Sequence, residues 1–297
     1  MQHVLQTPEP IELEVDLFDG LAQVRAENVT ETTVTITGAQ ADQFRIEQSG
    51  RRVTVRGPRH RGWRLGRHQI RIVAPIGSDT AVRCGSASVE LFGPLAEVAL
   101  ACGSGKLYVE RAGTVAATTG SGDIVVGRAA VARIKSGSGA VRIDAVAERA
   151  EVTCGSGNLA IGSACGSLVA KSGSGDLSIE VLAGDARFST GSGHVSIERM
   201  ARGRLDLTGG SGRVRVGVDK LVPVWTDITS ISGKVISTLS PVGQPRPGQE
   251  HVEIRLHTVS GSVRLHPVDK GPQDAPVGAF PQDAPRGHGP AAVPTRG

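Results

Sequence analysis

Aromatic residues are scarce in this chain: five Phe, two Trp and one Tyr among 297 positions, with only two Met. A core resting on large rings is therefore excluded, and any interior must be packed from small aliphatic side chains. No apolar run approaches the roughly 20 residues that a membrane-spanning helix requires. The opening MQHVLQTPEP has neither the basic region nor the apolar region of a secretory signal. The sequence reading is accordingly a cytoplasmic protein without a transmembrane segment, with a cell-surface or extracellular setting as the alternative. The four Cys never form a CxxC pair, which argues against thioredoxin-type and zinc-ribbon motifs. Charge of one sign is also missing: 33 Lys and Arg are nearly matched by 29 Asp and Glu, for a net +4. Whole-chain attraction to nucleic acid is not implied, so an electrostatic partner must be sought locally.

What the chain has in abundance is Gly, 40 residues of it, arranged with a period. Corners of Gly-Ser or Ser-Gly place serines at Ser86, Ser104, Ser121, Ser138, Ser156, Ser174, Ser192, Ser211, Ser232 and Ser260, at successive spacings of 18, 17, 17, 18, 18, 18, 19, 21 and 28. Internal repetition at a fixed short period is the signature of a stacked architecture. Within each unit two runs alternate apolar and polar residues. Leu177/Ile179 and Ala186/Phe188 share inward faces in one unit. Leu107/Val109, Ile124/Val126, Val141/Ile143, Leu159/Ile161, Val195/Ile197 and Val214/Val216 repeat the first pair; Val98/Leu100, Ala150/Val152, Leu205/Leu207 and Ile254/Leu256 repeat the second. Period-2 alternation reads as strand. The expected fold is all-β: a right-handed single-chain β-solenoid of about ten 17–19-residue rungs. At one strand spacing per rung it would form a rod on the order of 45 Å long. The last two spacings read as loop insertions.

At the corners, Gly is expected to supply a positive φ and Ser to bond turn backbone or its counterpart one rung on. Cys84, Cys102 and Cys154 stand immediately before corners, where Thr119, Ser136, Ser172 and Thr190 stand in other units. Alternation from Val98 and Leu100 turns Cys102 inward, so these thiols read as buried and inert rather than as redox or metal groups. Gly103 to Lys106 (GSGK) lacks the spacing and the adjoining helix of a phosphate-binding loop.

Three regions follow from these patterns. Residues 1–80 carry strand-like alternation (Ile11, Leu13, Val15, Leu17; Val34/Ile36; Phe44/Ile46; Val53/Val55) without the corner motif and read as a β cap continuous with the solenoid. Residues 81–268 hold the repeats. Residues 269–297, rich in Pro, Gly and Ala and carrying PQDAP twice, read as a disordered tail. Between cap and repeats, Arg51 to Arg71 holds eight arginines, two histidines and Trp63 with no acidic residue. Arg51, Arg52, Arg56, Arg59, Arg61, Trp63, Arg64 and Arg67 form the candidate site for an anionic partner. The competing reading is a solvated loop paired with Glu9, Glu12 and Glu14.

Catalytic residues, a cofactor and a metal are all absent from the reading. The outward column Lys106, Asp123, Ala140, Asn158, Asp176, His194, Arg213 separates its carboxylates by about 14 Å, too far for a glycosidase pair. Outward Arg133 faces Glu151 and Arg187 faces Asp206 one rung on, as ordinary surface pairs. His194 has no companion ligand.

The segments TPEPIELEVDLFDGLAQVRAENVTETTVTITG, RIVAPIGSDTAVRCGSASVEL, TGSGDIVV, KSGSGDLSIE and TVSGSVRL give the chain, over about residues 8–268, a resemblance to the bacterial β-strand-repeat family of unknown function labelled "putative adhesin". The resemblance implies a non-catalytic binding or scaffold protein whose regular faces engage a protein or surface polymer, and it brings no catalytic residues. A carbohydrate-active β-helix enzyme and a cytoplasmic polymer-forming scaffold, self-associating through solenoid ends, are the alternatives.

Overall fold

The computed structural model describes residues 1–38, 40–58, 68–220, 222–240 and 249–269. Twenty-two strands and one short 3-10 turn, Ala41–Gln43, make up the described secondary structure, with no α-helix among those residues. The protein is all-β, as its alternation requires.

Pairing follows the repeat. Leu107–Thr119 runs parallel to Ile124–Ser136 with Leu107 opposite Ile124, and Ile124–Ser136 runs parallel to Val141–Cys154 with Ile124 opposite Val141. The register shift between neighbours equals the sequence period, so each column holds equivalent residues of successive units. Both runs of a unit lie on one bent strand here; further on they separate, as in Leu159–Ala164 and Ser167–Ser172. Ile161, Ile179 and Ile197 stack in one column. All three are fully buried, as are Val109 and Val126 in the same column and Leu107 and Ile124 in the column beside it. Each such side chain contributes about 1.5–3 kcal/mol by leaving water. No single unit could enclose these side chains, so the stack supplies the core.

The corner glycines have a different cause from the one expected. Positive φ occurs at Gly20, Gly38, Gly50, Gly77, Gly93, Gly203 and Gly212, and of the Gly-Ser-Gly corners only Gly212 belongs to that set. At the others the constraint is proximity between layers. A Cβ on Gly120 would stand 2.7 Å from the Gly103 carbonyl oxygen, and one on Gly157 would lie well inside contact with Gly139 O. Backbone must approach backbone here, and only hydrogen leaves room. The bonds that result are main-chain: Ser121 N donates to Gly103 O at 3.1 Å, Ser138 N to Gly120 O at 3.0 Å and Ser156 N to Gly137 O at 3.0 Å. The serine ladder is thus carried by amides, and its side chains face outward.

Both ends of the stack depart from sequence order. Glu12–Leu17 lies between Arg52–Arg56 and Asp79–Cys84, parallel to both, and Leu21–Glu27 lies between Gln69–Pro75 and Ser88–Cys102. Antiparallel strands finish this end: Glu31–Thr37 pairs with Gln69–Pro75 and Gln2–Gln6, and Arg45–Ser49 with Arg52–Arg56. At the other end Val252–Thr258 inserts between Val195–Gly209 and Val224–Ser230, and Ser262–Val268 between Arg213–Asp219 and Val235–Ser237. The long spacings before Ser232 and Ser260 therefore mark a skipped layer and its later filling, where the sequence suggested loop insertions.

Candidate functional site

In-register stacking sorts outward residues into rows. On the second run of the unit, Ala81, Ala99, Ala116, Arg133 and Glu151 form one row, each opposite the next. Arg83, Ala101, Thr118, Lys135 and Thr153 form the adjacent row through the same pairings. Alanine ends at Cβ, so the alanines make a low floor while Arg83, Arg133 and Lys135 rise around it. The result is a trough of about 520 Å³. It crosses five strands, roughly 19 Å at the usual spacing.

A second recess of about 390 Å³ shares Arg83 and Ala101 with the trough and adds Phe18, Arg56, Pro58 and Cys84. Phe18 is 52% exposed there. Asp16 stands between two guanidiniums, 3.8 Å from Arg56 and 4.0 Å from Arg83, so one carboxylate answers two cations. Ion pairs this exposed add little to stability and leave the local field positive.

Within the arginine-rich segment the structure divides the predicted residues. Arg51 Nε donates to Pro10 O at 2.9 Å. Arg52 pairs with Glu12 at 2.9 Å and Glu14 at 3.7 Å across parallel strands, as the loop-pairing reading expected. Arg56 reaches the recess instead. Arg59, Arg61, Trp63, Arg64 and Arg67 lie outside the described residues.

The outward polar column is bound into the ladder. Asp123 Oδ1 accepts from Ala140 N at 3.0 Å, Asn158 Oδ1 from Asp176 N at 3.0 Å, Asp176 Oδ1 from His194 N at 2.8 Å and His194 Nδ1 from Arg213 N at 2.9 Å. Each side chain satisfies an amide of the following unit, a role that sequence reading missed. Its signal is the Asp or Asn directly after a Gly-Ser-Gly corner. Among the described residues no group of three or more His, Cys, Asp or Glu is placed to hold a metal ion.

At several corners the side chain just before the turn holds it. Thr119 Oγ1 accepts from Gly122 N at 3.0 Å and Ser172 Oγ from Gly175 N at 3.0 Å; Cys102 Sγ takes the same place, accepting from Gly105 N at 3.3 Å. Cys102 and Cys154 are buried, as expected, but Cys84 is only half-buried and lines the recess. It also sits directly opposite Cys102 on the neighbouring strand. The hydrogen bond from Cys84, helped by the Gly105, Ser104 and Gly103 amides and opposed by burial, pulls the Cys102 thiol down to about 6. The same hydrogen bond, with burial, pushes the Cys84 thiol far up. Cys84 thus departs from the full burial that the sequence suggested for Cys84, Cys102 and Cys154 alike.

Several solved structures align with most of this chain at low identity. A putative adhesin from Parabacteroides distasonis is 12% identical, covers 90% of this chain and 97% of its own, and has a TM-score of 0.46. A putative adhesin from Parabacteroides merdae is 10% identical, with coverages of 90% and 95% and a TM-score of 0.44. A putative lipid binding protein from Parabacteroides distasonis is 12% identical, with coverages of 90% and 96% and a TM-score of 0.43. No curated protein matches the chain. No helix among the described residues is long and apolar enough to cross a membrane. The family model Toastrack DUF4097 matches residues 12–181, more than half of the 297 residues. The chain belongs to the Toastrack DUF4097 family.

Proposed function

We propose that this chain is a non-catalytic binding protein built as a right-handed β-solenoid of about ten 17–19-residue coils, whose outward trough holds an extended anionic polymer. The observation that carries this reading is the alanine floor of Ala81, Ala99 and Ala116 ringed by Arg83, Arg133 and Lys135. A flat floor along the stacking direction suits a linear ligand, and cations at its two ends, with Arg83 three strands (roughly 14 Å) from Arg133 and Lys135, suit charges spaced along it. Arg56 extends the basic edge into the recess, and Arg59, Arg61, Trp63, Arg64 and Arg67 follow it in the chain. A non-enzymatic role fits the outward Asp, Asn and His column, whose acceptors hold backbone amides. A cytoplasmic setting, with residues 1–80 as cap, belongs to the same proposal; the tail expected over 269–297 lies, from residue 270 on, outside the described residues. A sulfated polysaccharide is the probe. It should bind at low salt and weaken steeply toward physiological salt, as multi-site charge pairing does. Arg83, Arg133 and Lys135 changed together to Ser should remove that binding without moving the melting temperature. Binding unaffected by the triple change would exclude the trough as the site.

A second reading, self-association, is favoured by the far end of the stack. Ile231 is 78% exposed, Val259 53%, Trp225 51% and Val235 44%, all close to the last strands, Val224–Ser230 and Val235–Ser237. Open strand edges beside exposed apolar side chains invite pairing with another chain. Sedimentation velocity over a concentration series tests it: an invariant monomer would rule it out.

A further inference from the structure

We propose that Cys84 and Cys102 form a peroxide-responsive dithiol that closes to a disulfide between adjacent strands at the edge of the recess. Their α-carbons are direct register partners on parallel strands. That places them about 4.8 Å apart, within the roughly 4.4–6.8 Å range that disulfides span. Both sulfurs converge on one acceptor, Cys84 Sγ donating to Ala87 O at 3.6 Å and Cys102 Sγ at 3.4 Å. The recess reaches the pair at Cys84, which lines it together with Arg56 and Arg83, and Cys102 lies buried directly behind it.

The chemistry divides between the two sulfurs. Cys102, with Gly105 N donating to its sulfur at 3.3 Å and Cys84 beside it, is the more readily ionised of the two and acts as the nucleophile. Its thiolate attacks one oxygen of hydrogen peroxide; an S–O bond forms, the O–O bond breaks, and the departing hydroxide takes up a proton to become water. The Cys84 sulfur then attacks the sulfenic sulfur of Cys102. The S–S bond forms, the S–O bond breaks, and the hydroxide leaves with the Cys84 thiol proton as a second water. Two thiols and one peroxide thus give one disulfide and two waters. The pair is placed differently from Cys154, which is buried and has Ser136 and Ser172 as its register partners.

The inference stands apart from the binding proposal and is tested separately. The reduced full chain is treated with one equivalent of hydrogen peroxide, its thiols are counted by alkylation after denaturation, and its peptides are mapped by mass. Two of the four thiols should disappear, with one Cys84–Cys102 linkage, a loss of two hydrogen masses, and full reversal by dithiothreitol. Cys84→Ser should leave Cys102 as a sulfenic acid that a cyclic diketone traps, and Cys154→Ser should change nothing. Serine already occupies this column at Ser136 and Ser172, so both variants suit the fold. Four free thiols after treatment, or a linkage through Cys154 or Cys165, would overturn the proposal.

Discussion

The backbone N–H of Ile231 donates to Thr258 O at 3.2 Å, so an earlier residue is held by one that comes 27 positions later. The outermost layer, Val224–Ser230, pairs with Val252–Thr258 and depends on it. Leu256→Ala, at a fully buried position, should cost about 2–5 kcal/mol. Amide hydrogen exchange should then rise together across Val224–Ser230 and Val252–Thr258 while Leu159–Ala164 keeps its protection. If Val224–Ser230 stayed protected while Val252–Thr258 opened, the dependence would be wrong.

Ile179 is buried and Ser178 beside it is exposed. Ile179→Asp places an unpaired charge among apolar columns and should cost several kcal/mol, whereas Ser178→Asp should shift stability by less than about 0.5 kcal/mol. Paired thermal melts decide it, and equal shifts would refute the register.

Gly157→Ala should be far more damaging than Ser156→Ala next to it. The added Cβ collides with Gly139 O, a backbone atom that cannot move without opening the ladder, while Ser156 faces outward. We expect a loss of about 2 kcal/mol or more for Gly157→Ala and near-silence for Ser156→Ala in chemical denaturation. A mild Gly157→Ala would show that the layers can spread.

Cys102 should show a pH profile displaced from an ordinary thiol. Its thiolate is the favoured form above about pH 6, so alkylation in the native protein should stay constant through neutral pH and fall as pH drops below about 6. Removing the Cys84 donor in Cys84→Ala should move that fall toward the usual cysteine range near 9.0. Mass-spectrometric labelling rates across the pH series give both curves. Profiles that coincide would mean that Cys84 does not act on Cys102.

The inward columns were legible because alternation and period are one-dimensional signals: Leu107/Val109, Leu177/Ile179 and Ala186/Phe188 all lie in the core where the spacing put them. The alanine floor was harder to see. Ala99 and Ala116 look unremarkable in the chain and matter only once register sets them side by side. Layer order at the ends was hidden for a related reason, since the corner before Ser260 resembles that before Ser232 and only pairing tells which lies inside. Corner glycines were recognised, but their cause lies between layers and not within the turn.

Because chain segments at both ends are sandwiched by segments distant in sequence, growth or shrinkage of this protein by terminal addition is obstructed. Lengthening at the end near Val268 would first require withdrawing a strand already gripped on both sides. The interior has no such constraint: Leu159–Ala164 and Ser167–Ser172 pair with equivalents one period away. Length variation among proteins of this design should therefore arise in whole multiples of 17 or 18 residues at mid-chain, with the two interlocked ends retained as fixed fittings.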